Sequence, residues 1–414
     1  MATAIEERAF LKPIVDNFHD DGPRSRFAEY LAESCNDLDS AQGEFIELQL
    51  TIATLAADHP RRTILVDRQN ELRQKHHDAW TARLKPFASG FEFRRGFIDS
   101  VSLSVEQFEK HGTKLFDHAP IRRIRLTDVG QRAATLAKLP QLERVRELVL
   151  CGADLGEGGV QALANSPYLH SLDLLDLSFN GLGDNAMSHL AEAHLPKLHT
   201  LLLNDNRIGH PGATRLFLAP LRLHTLDLSA NLVRGPAIAA LVDNPTLQQV
   251  RLRMNPLGDA GAIELVQHPI MKQLLSADTT LDLSQTGLTS NTVLAIVRSA
   301  ALQPLGTLNL SNNTLDDTAA EALAHSKNLP NLHTLLLGHN KLTDRGAVML
   351  ARSPFMQQLR WLDISSNRLT RRGIDDLWMN RADWQVTVEC EGNVSGVRGP
   401  SERVQKGLGR RTNS

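Results

Sequence analysis

Cysteine is scarce in this sequence of 414 residues, which holds only Cys35, Cys151 and Cys390. An odd number of thiols at unrelated spacings supports neither a disulfide framework nor a zinc site, and it fits a reducing compartment. Aromatic residues make up only 5% of the chain, as expected where leucine fills the core. We therefore predict no structural metal and no cofactor.

An excess of one charge is also missing. Lys plus Arg number 45 and Asp plus Glu number 47, so the chain as a whole has no electrostatic attraction to nucleic acid or to an anionic membrane. No run of about 18 apolar residues occurs, and the N-terminus has no apolar signal-peptide core. These absences predict a cytoplasmic protein that neither binds nucleic acid nor inserts into a membrane.

The short motifs that mark common catalytic sites are missing as well. The sequence has no phosphate-binding loop G-x-x-x-x-G-K-[ST], no G-x-G-x-x-G after a strand, no H-E-x-x-H and no paired C-x-x-C. His76, His77 and Asp78 are adjacent, but they lie in a highly charged predicted helix, where a solvated face explains them better than a metal site. We predict that the chain is not an enzyme.

What the sequence has in abundance is leucine at a fixed spacing. The stretch LGTLNLSNNTL, from Leu305 to Leu315, follows the pattern L-x-x-L-x-L-x-x-N-x-L, and the pattern returns 27 residues later and again 27 residues after that. With the asparagine as register mark, about ten units fit between residues 121 and 393. Repetition at this period predicts a stack of similar units, each a strand followed by a helix.

Each L-x-L pair predicts a short strand whose leucines point into the core, while the intervening residue points to the opposite face. Burial of one leucine contributes about 1.5–3 kcal/mol, and a unit cannot bury its leucines without its neighbours. Crossovers of this kind are right-handed. We therefore predict an α/β fold, a parallel-sheet solenoid that bends with its strands on the inside.

The asparagine of each unit follows the strand, where the chain turns and backbone groups lose their sheet partners. An amide both donates and accepts, so it can bridge neighbouring turns, and loss of such a buried partner costs about 1–3 kcal/mol. The predicted asparagine ladder comprises Asn180, Asn206, Asn231, Asn255, Asn313, Asn340 and Asn367. Thr286 holds this position with a single hydroxyl, and the 31 residues that separate it from Asn255 predict a loop insertion near residues 273–280.

Residues 1–120 do not follow the repeat and predict a mainly helical capping domain. We expect helices that start near Asp21, Gly43 and Arg61, and a strand where apolar residues and serines alternate over residues 100–105. The repeat region spans residues 121–393. Residues 394–414 are rich in Gly, Ser and Arg and predict a disordered basic tail.

The repeat units resemble the ribonuclease-inhibitor class of leucine-rich repeats, which implies a right-handed βα horseshoe. The first 120 residues resemble the bacterial repeat-companion domain that precedes such repeats. The matching segments are DDGPRSRFAEYL at 20–31, GEFIELQ at 43–49, Trp80 after a charged helix, and FRRGF at 93–97. The resemblance implies a bacterial leucine-rich-repeat protein whose N-terminal domain covers the edge of the first strand. It implies no activity, because none is established for that domain family.

The repeat leaves free the outward residues of the strands and the residues at the strand ends. From these positions we predict a partner-binding surface made of Asp176, Leu202, Asp205, Asp227, Arg251, Arg253, Met254, Asp282, Asn309, Leu336, His339, Trp361 and Asp363. Exposed aromatic and apolar residues on a polar surface are typical of binding hot spots, and Trp361 is the strongest single candidate. The aspartates have two interpretations: ordinary repeat consensus, or recognition of a basic patch on a partner.

The sequence thus predicts a non-enzymatic, monomeric module that recognises a partner protein through the concave face of the horseshoe. A regulator of a small GTPase is one alternative, because the same repeat class occurs in the activating protein of the Ran GTPase. A secreted effector that binds a host protein is another, since it is compatible with the missing signal peptide.

Overall fold

The fold is taken from a computed structural model that describes residues 4–241, 246–277, 279–379 and 386–393. Packing divides the chain into two units. Unit 1 comprises residues 1–180 and 193–198, and unit 2 comprises residues 181–192 and 199–414. The predicted disordered tail, residues 394–414, lies outside the described residues. The predicted domain boundary at residue 120 stays a prediction.

Helices and short strands alternate along the chain. The α-helices are α1 (Ala4–Asp16), α2 (Gly22–Ala32), α3 (Asp37–Thr54), α4 (Arg61–Thr81), α5 (Val105–His118), α6 (Ala133–Leu136), α7 (Gly156–Ala164), α8 (Asp184–Glu192), α9 (His210–Phe217), α10 (Gly258–Gln267), α11 (Met271–Ala277), α12 (Ser290–Ile296), α13 (Asp317–Ala324), α14 (Asp344–Ala351) and α15 (Arg371–Met379). The strands are β1 (Ser89–Arg94), β2 (Phe97–Ser104), β3 (Arg123–Thr127), β4 (Glu147–Val149), β5 (Leu174–Asp176), β6 (Thr200–Leu202), β7 (Thr225–Asp227), β8 (Gln249–Arg251), β9 (Thr280–Asp282), β10 (Thr307–Asn309), β11 (Thr334–Leu336), β12 (Trp361–Asp363) and β13 (Thr387–Glu389). From β2 to β12, every strand is followed by a helical segment, as the repeat predicts.

The first three helices of unit 1 pack with Phe97 of β2 around an apolar core. Its buried members are Ile14, Phe27, Ala28, Leu31, Ile46, Leu50 and Phe97. The four segments that resemble a companion domain meet here. Asp21 forms an ion pair with Arg95 at 3.0 Å, and the ring centroids of Phe45 and Trp80 lie 4.8 Å apart.

One predicted helix start is wrong. α3 begins at Asp37 rather than at Gly43, because Asn36 caps the helix and accepts a hydrogen bond from the Leu38 N–H at 3.1 Å. Gly43 is buried inside α3, where a Cβ atom would lie 2.8 Å from the carbonyl oxygen of Ala28. Glycine at this position therefore allows α2 and α3 to pack closely.

The sheet of unit 1 starts before the repeat region. β1 pairs with β2 in antiparallel fashion, and β2 pairs in parallel with β3, the strand of the first predicted repeat. β3, β4 and β5 continue the sheet in parallel register. The alternation around residue 101 is therefore part of β2, in which Val101 and Leu103 are buried while Ser102 and Ser104 are partly exposed. The edge of β3 that faces the N-terminal region is paired rather than open.

Unit 2 contains the regular repeats. β6, β7 and β8 pair in parallel, and β9 to β13 form a five-stranded parallel sheet. The leucines of each L-x-L pair lie on the helix side, and Leu308 and Leu310, for example, are fully buried. The intervening residues are aligned across the strands, since Asn309 pairs with Asp282 on one side and Leu336 on the other. The side of the sheet opposite the buried leucines is called the strand face below.

The ladder asparagines tie consecutive turns together. Asn340 is typical: its Nδ2 donates to the carbonyl oxygens of Leu310, Leu337 and Gly338 at 3.0, 3.0 and 3.2 Å, and its Oδ1 accepts from the Leu315 N–H at 3.0 Å. All seven predicted ladder asparagines are buried, with at most 8% of their surface exposed. Each such amide satisfies backbone groups that the turn would otherwise bury without partners.

Asn393 extends the ladder beyond the predicted set. Its Oδ1 accepts from the N–H groups of Asn367 and Leu369 at 2.9 and 3.2 Å, and its Nδ2 donates to the Cys390 carbonyl at 2.7 Å. The sequence carried a signal for this residue, because Val388, Cys390 and Asn393 repeat the spacing L-x-L-x-x-N with other apolar residues.

The ladder is weaker at Thr286. Its hydroxyl donates to the Leu283 carbonyl at 2.7 Å, but it provides no amide for the preceding turn. The Leu257 N–H there donates back to the Asn255 carbonyl at 2.8 Å, whereas the equivalent N–H of Leu288 donates to the next ladder asparagine at 3.0 Å. One cross-link between neighbouring units is therefore replaced by a bond within a single turn.

The insertion expected near residues 273–280 is a helix rather than a loop. In α11, Met271, Leu274 and Leu275 are buried at i, i+3 and i+4, the spacing of one apolar helix face. The helix has only seven residues, too few for a period to be read from the sequence. Gln273 Nε2 donates to the Leu247 carbonyl at 2.5 Å and so fixes α11 beside β8.

A second set of side chains links the helices of unit 2. Asp344 accepts from the N–H and the hydroxyl of Thr370, one unit later, at 2.7 and 2.6 Å. The same carboxylate-to-backbone link joins Asp184 to Gly209, Asp259 to Thr289, and Asp317 to Thr343. Sequence reasoning missed these aspartates, although each recurs at or next to the first residue of a helix.

Candidate protein-interaction surface

The strand face of unit 2 brings most of the predicted partner-binding residues into two rows. In the first sheet, Leu202, Asp227 and Arg251 lie side by side on β6, β7 and β8. In the second sheet the row continues as Asp282, Asn309, Leu336 and Asp363, with Glu389 of β13 as a further member. Asp176 belongs to unit 1, where it pairs with Val149. The set of contacts predicted from the sequence did not include Glu389.

The aspartates of this face have a structural role in their own unit. Asp176, Asp227, Asp282 and Asp363 each accept a hydrogen bond from the backbone N–H two residues later, at 3.0, 2.9, 2.9 and 2.8 Å respectively. Asn309 makes the same bond at 3.1 Å. Such side-chain-to-backbone bonds stabilise the turn after a strand. This geometry favours the interpretation that the aspartates belong to the repeat consensus over the interpretation that they recognise a basic patch on a partner.

Asp227 was predicted as a partner contact, but the structure buries it. Only 8% of its surface is exposed, because Arg251 of the neighbouring strand lies over it with Nη1 3.4 Å from the carboxylate. Arg251 also donates to Gln249 Oε1 at 3.0 Å and remains exposed itself. At this point of the strand face, the arginine rather than the aspartate is available to a partner.

Trp361 is the large apolar residue of the strand face that remains exposed, with 39% of its surface accessible among the described residues. Its partners in register are Thr334 on β11 and Thr387 on β13. Both threonines are short side chains, and 39% of the tryptophan surface stays exposed beside them. Leu202 and Leu336 are half-buried on the same face.

Three predicted contacts, Asp205, Met254 and His339, lie at strand ends in left-handed backbone conformation, with φ of 56°, 58° and 55°. Each directly precedes a ladder residue. The same conformation recurs at Phe179, Ala230, Gln285, Asn312 and Ser366, so it belongs to the repeat itself. Asp205 and His339 are exposed and Met254 is half-buried. Arg253, one residue before Met254, is exposed as well.

Three features bear on other functions. Burial, followed by the charges of Glu389 and Glu391, raises the pKa of the Cys390 thiol, the opposite of what activates a cysteine nucleophile. Within the described residues, no three His, Cys, Asp or Glu side chains come together in a way that could hold a metal ion. None of the described helices is long and apolar enough to cross a bilayer.

Comparison with known proteins identifies leucine-rich repeats in the chain. The Leucine Rich repeat family matches residues 165–191, 243–266, 301–324 and 328–351. The chain is 30% identical over 176 residues to Tonsoku-like protein of Mus musculus, a match that covers 38% of this chain and 13% of that protein. The crystal structure of an internalin from Listeria monocytogenes covers 71% of this chain and 81% of its own, at 16% identity and a TM-score of 0.41.

The matched segments coincide with strand–helix units described above: residues 301–324 contain β10 and α13, and residues 328–351 contain β11 and α14. Repeats of this kind typically present extended surfaces for binding other proteins. The chain carries leucine-rich repeats and has a leucine-rich-repeat α/β fold, in which parallel strands alternate with helices after a mainly helical N-terminal region.

Proposed function

We propose that this chain is a non-enzymatic recognition module that binds a partner protein through the strand face of unit 2. The observation that carries the proposal is the exposure of Trp361. Its neighbour in sequence, Leu362, is fully buried on the helix side, whereas 39% of the tryptophan surface is open on the strand face. A large aromatic side chain that the fold does not use in its own core favours a role in binding.

The surroundings of Trp361 are those of a protein-binding hot spot. Half-buried Leu336 lies on the adjacent strand, and Asn309 and Asp363 supply polar groups around it. Interfaces combine an apolar centre with a polar rim, and tryptophan is among the residues that contribute most to their affinity. Full burial of apolar side chains contributes on the order of 1.5–3 kcal/mol each.

The two alternatives raised by the sequence are narrower versions of this function. A GTPase regulator or a secreted effector would each bind a partner protein through the same surface. Neither is favoured by a specific contact in the structure, and both stay predictions. The identity of the partner decides between them.

Site-specific photo-crosslinking in the native cell tests the proposal. A photoreactive amino acid is placed at Thr334 or Thr387, which flank Trp361, and at the exposed helix positions Arg345 and Arg371 as matched controls. We expect both strand-face positions to capture the same protein and the helix positions not to capture it. Capture from the helix positions alone, or equally from all four, would contradict the proposal.

A further inference from the structure

The regular succession of strands changes in the middle of unit 2. β8 is the last strand of one sheet and β9 is the first strand of the next. The turns that follow the two strands stay connected, since the Met254 N–H donates to the Ser284 carbonyl at 2.9 Å. The inserted helix α11 and the ladder position Thr286, which has a hydroxyl in place of an amide, occur at this same place. Several departures from the repeat therefore coincide here.

A cavity of about 340 Å³ lies at this place and is lined mainly by residues of β8, β9, α10 and α11. Its buried apolar lining includes Leu265 of α10 and Met271, Leu274 and Leu275 of α11. Val250 of β8 also lines the cavity and is only half-buried, whereas the middle residues of β7, β10, β11 and β12 are at most 1% exposed. The cavity therefore reaches the layer of core side chains that those regular strands seal.

The size and the lining of the cavity suit a small molecule with an apolar body. Small-molecule sites typically have volumes of about 300–1,000 Å³ and combine an apolar lining with a few polar groups. Because an apolar cavity of ~150 Å³ holds one benzene ring, the volume here is enough for a fused two-ring system or an aliphatic chain of about ten carbon atoms. Methionine and leucine side chains in the lining can adapt to either shape.

The charged side chains that line the cavity are Asp227, Arg251, Arg253 and Asp282, and they are not equally available to a ligand. Arg251 Nη1 lies 3.4 Å from the Asp227 carboxylate. Asp282 Oδ1 accepts from the Ser284 N–H at 2.9 Å. Arg253 is exposed, and its guanidinium forms neither an ion pair nor a hydrogen bond with any residue that the structure describes. Its N–H groups therefore remain available to an acceptor on a ligand.

A carboxylate is the group that best complements this lining. A guanidinium binds a carboxylate through two parallel charge-assisted hydrogen bonds, which fix the orientation of the bound group. A cationic ligand would have to use Asp282, which is half-buried and already bonded to the backbone, and it would share the cavity with two arginines. The charges therefore favour an anion over a cation.

We propose that this cavity binds a small amphipathic carboxylate, whose apolar body packs against α11 and whose carboxylate group pairs with Arg253. Such a site goes beyond the proposed recognition function and does not depend on it. Its lining comes from β7, β8, β9, α10, α11 and the residues next to them, whereas Trp361 lies on β12.

Isothermal titration of the full-length chain with matched probes tests the proposal. The carboxylates 2-naphthoate and decanoate present the predicted chemistry in an aromatic and an aliphatic form. The probes 2-naphthylmethylammonium and decylammonium have the same apolar bodies but carry a positive charge. We expect at least one carboxylate to bind at a single saturable site, and to bind roughly tenfold or more tightly than the ammonium with the same body.

Two results of these titrations would overturn the proposal. One is the failure of both carboxylates to saturate the chain below about 1 mM, which corresponds to a binding free energy weaker than about 4 kcal/mol. The other is an ammonium probe that binds as tightly as the carboxylate with the same apolar body, because Arg253 would then not select the charge of the ligand.

Two variants test the location of the site. Leu274→Trp occupies part of the cavity, and the exposed Leu218→Trp serves as its matched control. Arg253→Glu reverses the charge that the carboxylate meets, and the exposed Arg222→Glu serves as its control. We expect the affinity for the carboxylate to fall roughly tenfold in both test variants and to stay within about twofold in both controls.

The Arg253→Glu arm remains informative if Leu274→Trp does not fold, because Arg253 is exposed. Carboxylate affinity that is equal in Arg253→Glu and in the natural chain would contradict the proposed site.

Discussion

The ladder asparagines and the strand-face aspartates both recur at fixed positions of the repeat, but they have different structural roles. The amide of a ladder asparagine both donates and accepts, and it is buried between two turns. The carboxylate of a strand-face aspartate only accepts, and it supports the turn of its own unit. Substitution at the two kinds of position should therefore have very different effects on stability.

Asn313→Ala should be strongly destabilising. The amide accepts from the Thr286 and Leu288 N–H groups at 3.1 and 3.0 Å and donates to the Leu283 and Leu310 carbonyls at 2.9 and 3.0 Å. In the variant these backbone groups remain buried but lose their partners. We therefore expect the free energy of unfolding, measured by urea denaturation, to fall by about 2–3 kcal/mol.

Asn331→Ala is the matched control for that prediction. Asn331 is exposed and makes one bond, to the Gln303 carbonyl at 2.9 Å. Its removal should change the free energy of unfolding by no more than about 0.5 kcal/mol. Equal losses in the two variants would show that the ladder does not stabilise the stack.

Asp99 in unit 1 should give the protein a measurable pH dependence. Burial raises its pKa to about 6, although nearby arginines oppose the shift, and Arg122 Nε lies 3.2 Å from its carboxylate. The folded chain therefore keeps this proton up to a higher pH than the unfolded chain, so its contribution to stability falls as pH rises from about 4 to about 6.

Asp99→Asn removes the loss of stability that accompanies ionisation of Asp99 as the pH rises. Relative to the natural chain, the variant should gain up to about 3 kcal/mol in free energy of unfolding between pH 4 and pH 7. Urea denaturation at a series of pH values measures the difference, with the exposed Asp58→Asn variant as control. A difference that stays constant with pH, or that changes in the opposite direction, would show that the side chain is ionised throughout.

Sequence reasoning succeeds at residues whose environment is set by their own repeat. The buried leucines and the ladder asparagines could be predicted because their spacing recurs from one unit to the next. It does not foresee the burial of Asp227, which depends on Arg251 of the next strand. Nor does it foresee the left-handed backbone at Met254 and His339, which comes from the turn. The ladder role of Asn393 could have been predicted from its spacing, but its unit has valine and cysteine where the pattern has leucine.

At the scale of the element, close packing between successive helices sets the tightest constraint. Gly373 lies in α15, where a Cβ atom would fall 2.0 Å from the Oδ1 of Asp344. That carboxylate is already held by Thr370. The glycine and the helix-start aspartate therefore form a matched pair across neighbouring units.

Gly373→Ala should lower the melting temperature, since the added methyl group displaces Asp344 from its bonds with Thr370. We expect a loss of about 1–3 kcal/mol. Gly158→Ala in α7 is the matched control, because a Cβ there meets nothing within 4 Å and alanine is favoured over glycine in a helix by about 1 kcal/mol. A melting temperature that rises in both variants would contradict the packing described here.

The element that sequence reasoning placed but misjudged is α11. The unusual spacing between Asn255 and Thr286 located the insertion correctly, because spacing is a property of the sequence alone. Whether inserted residues form a loop or a helix depends on what they cover. Met271, Leu274 and Leu275 form one helix face because all three are buried where α11 packs beside β8.

For the molecule as a whole, the regular repeats explain stability, and the proposed function is placed where the chain departs from regularity. The regular units among the described residues bury their leucines in the same way, so those residues do not distinguish one binding partner from another. Trp361 on the strand face, the ladder position Thr286, the inserted helix α11 and the break between the sheets that end in β8 and β9 are departures from that pattern among the described residues. The fold class was predictable from periodicity, whereas the cavity lined by residues of β8, β9 and α11 was not, because it depends on how the inserted helix packs.

The most direct test of the account is the affinity of the purified partner, identified by photo-crosslinking, for three forms of the full-length chain. Isothermal titration should show that Trp361→Ala weakens binding at least tenfold, or about 1.4 kcal/mol, relative to the natural chain. Arg371→Ala, on the exposed surface of helix α15, should bind as the natural chain does. Equal affinity for all three forms, or a larger loss with Arg371→Ala, would contradict recognition through the strand face.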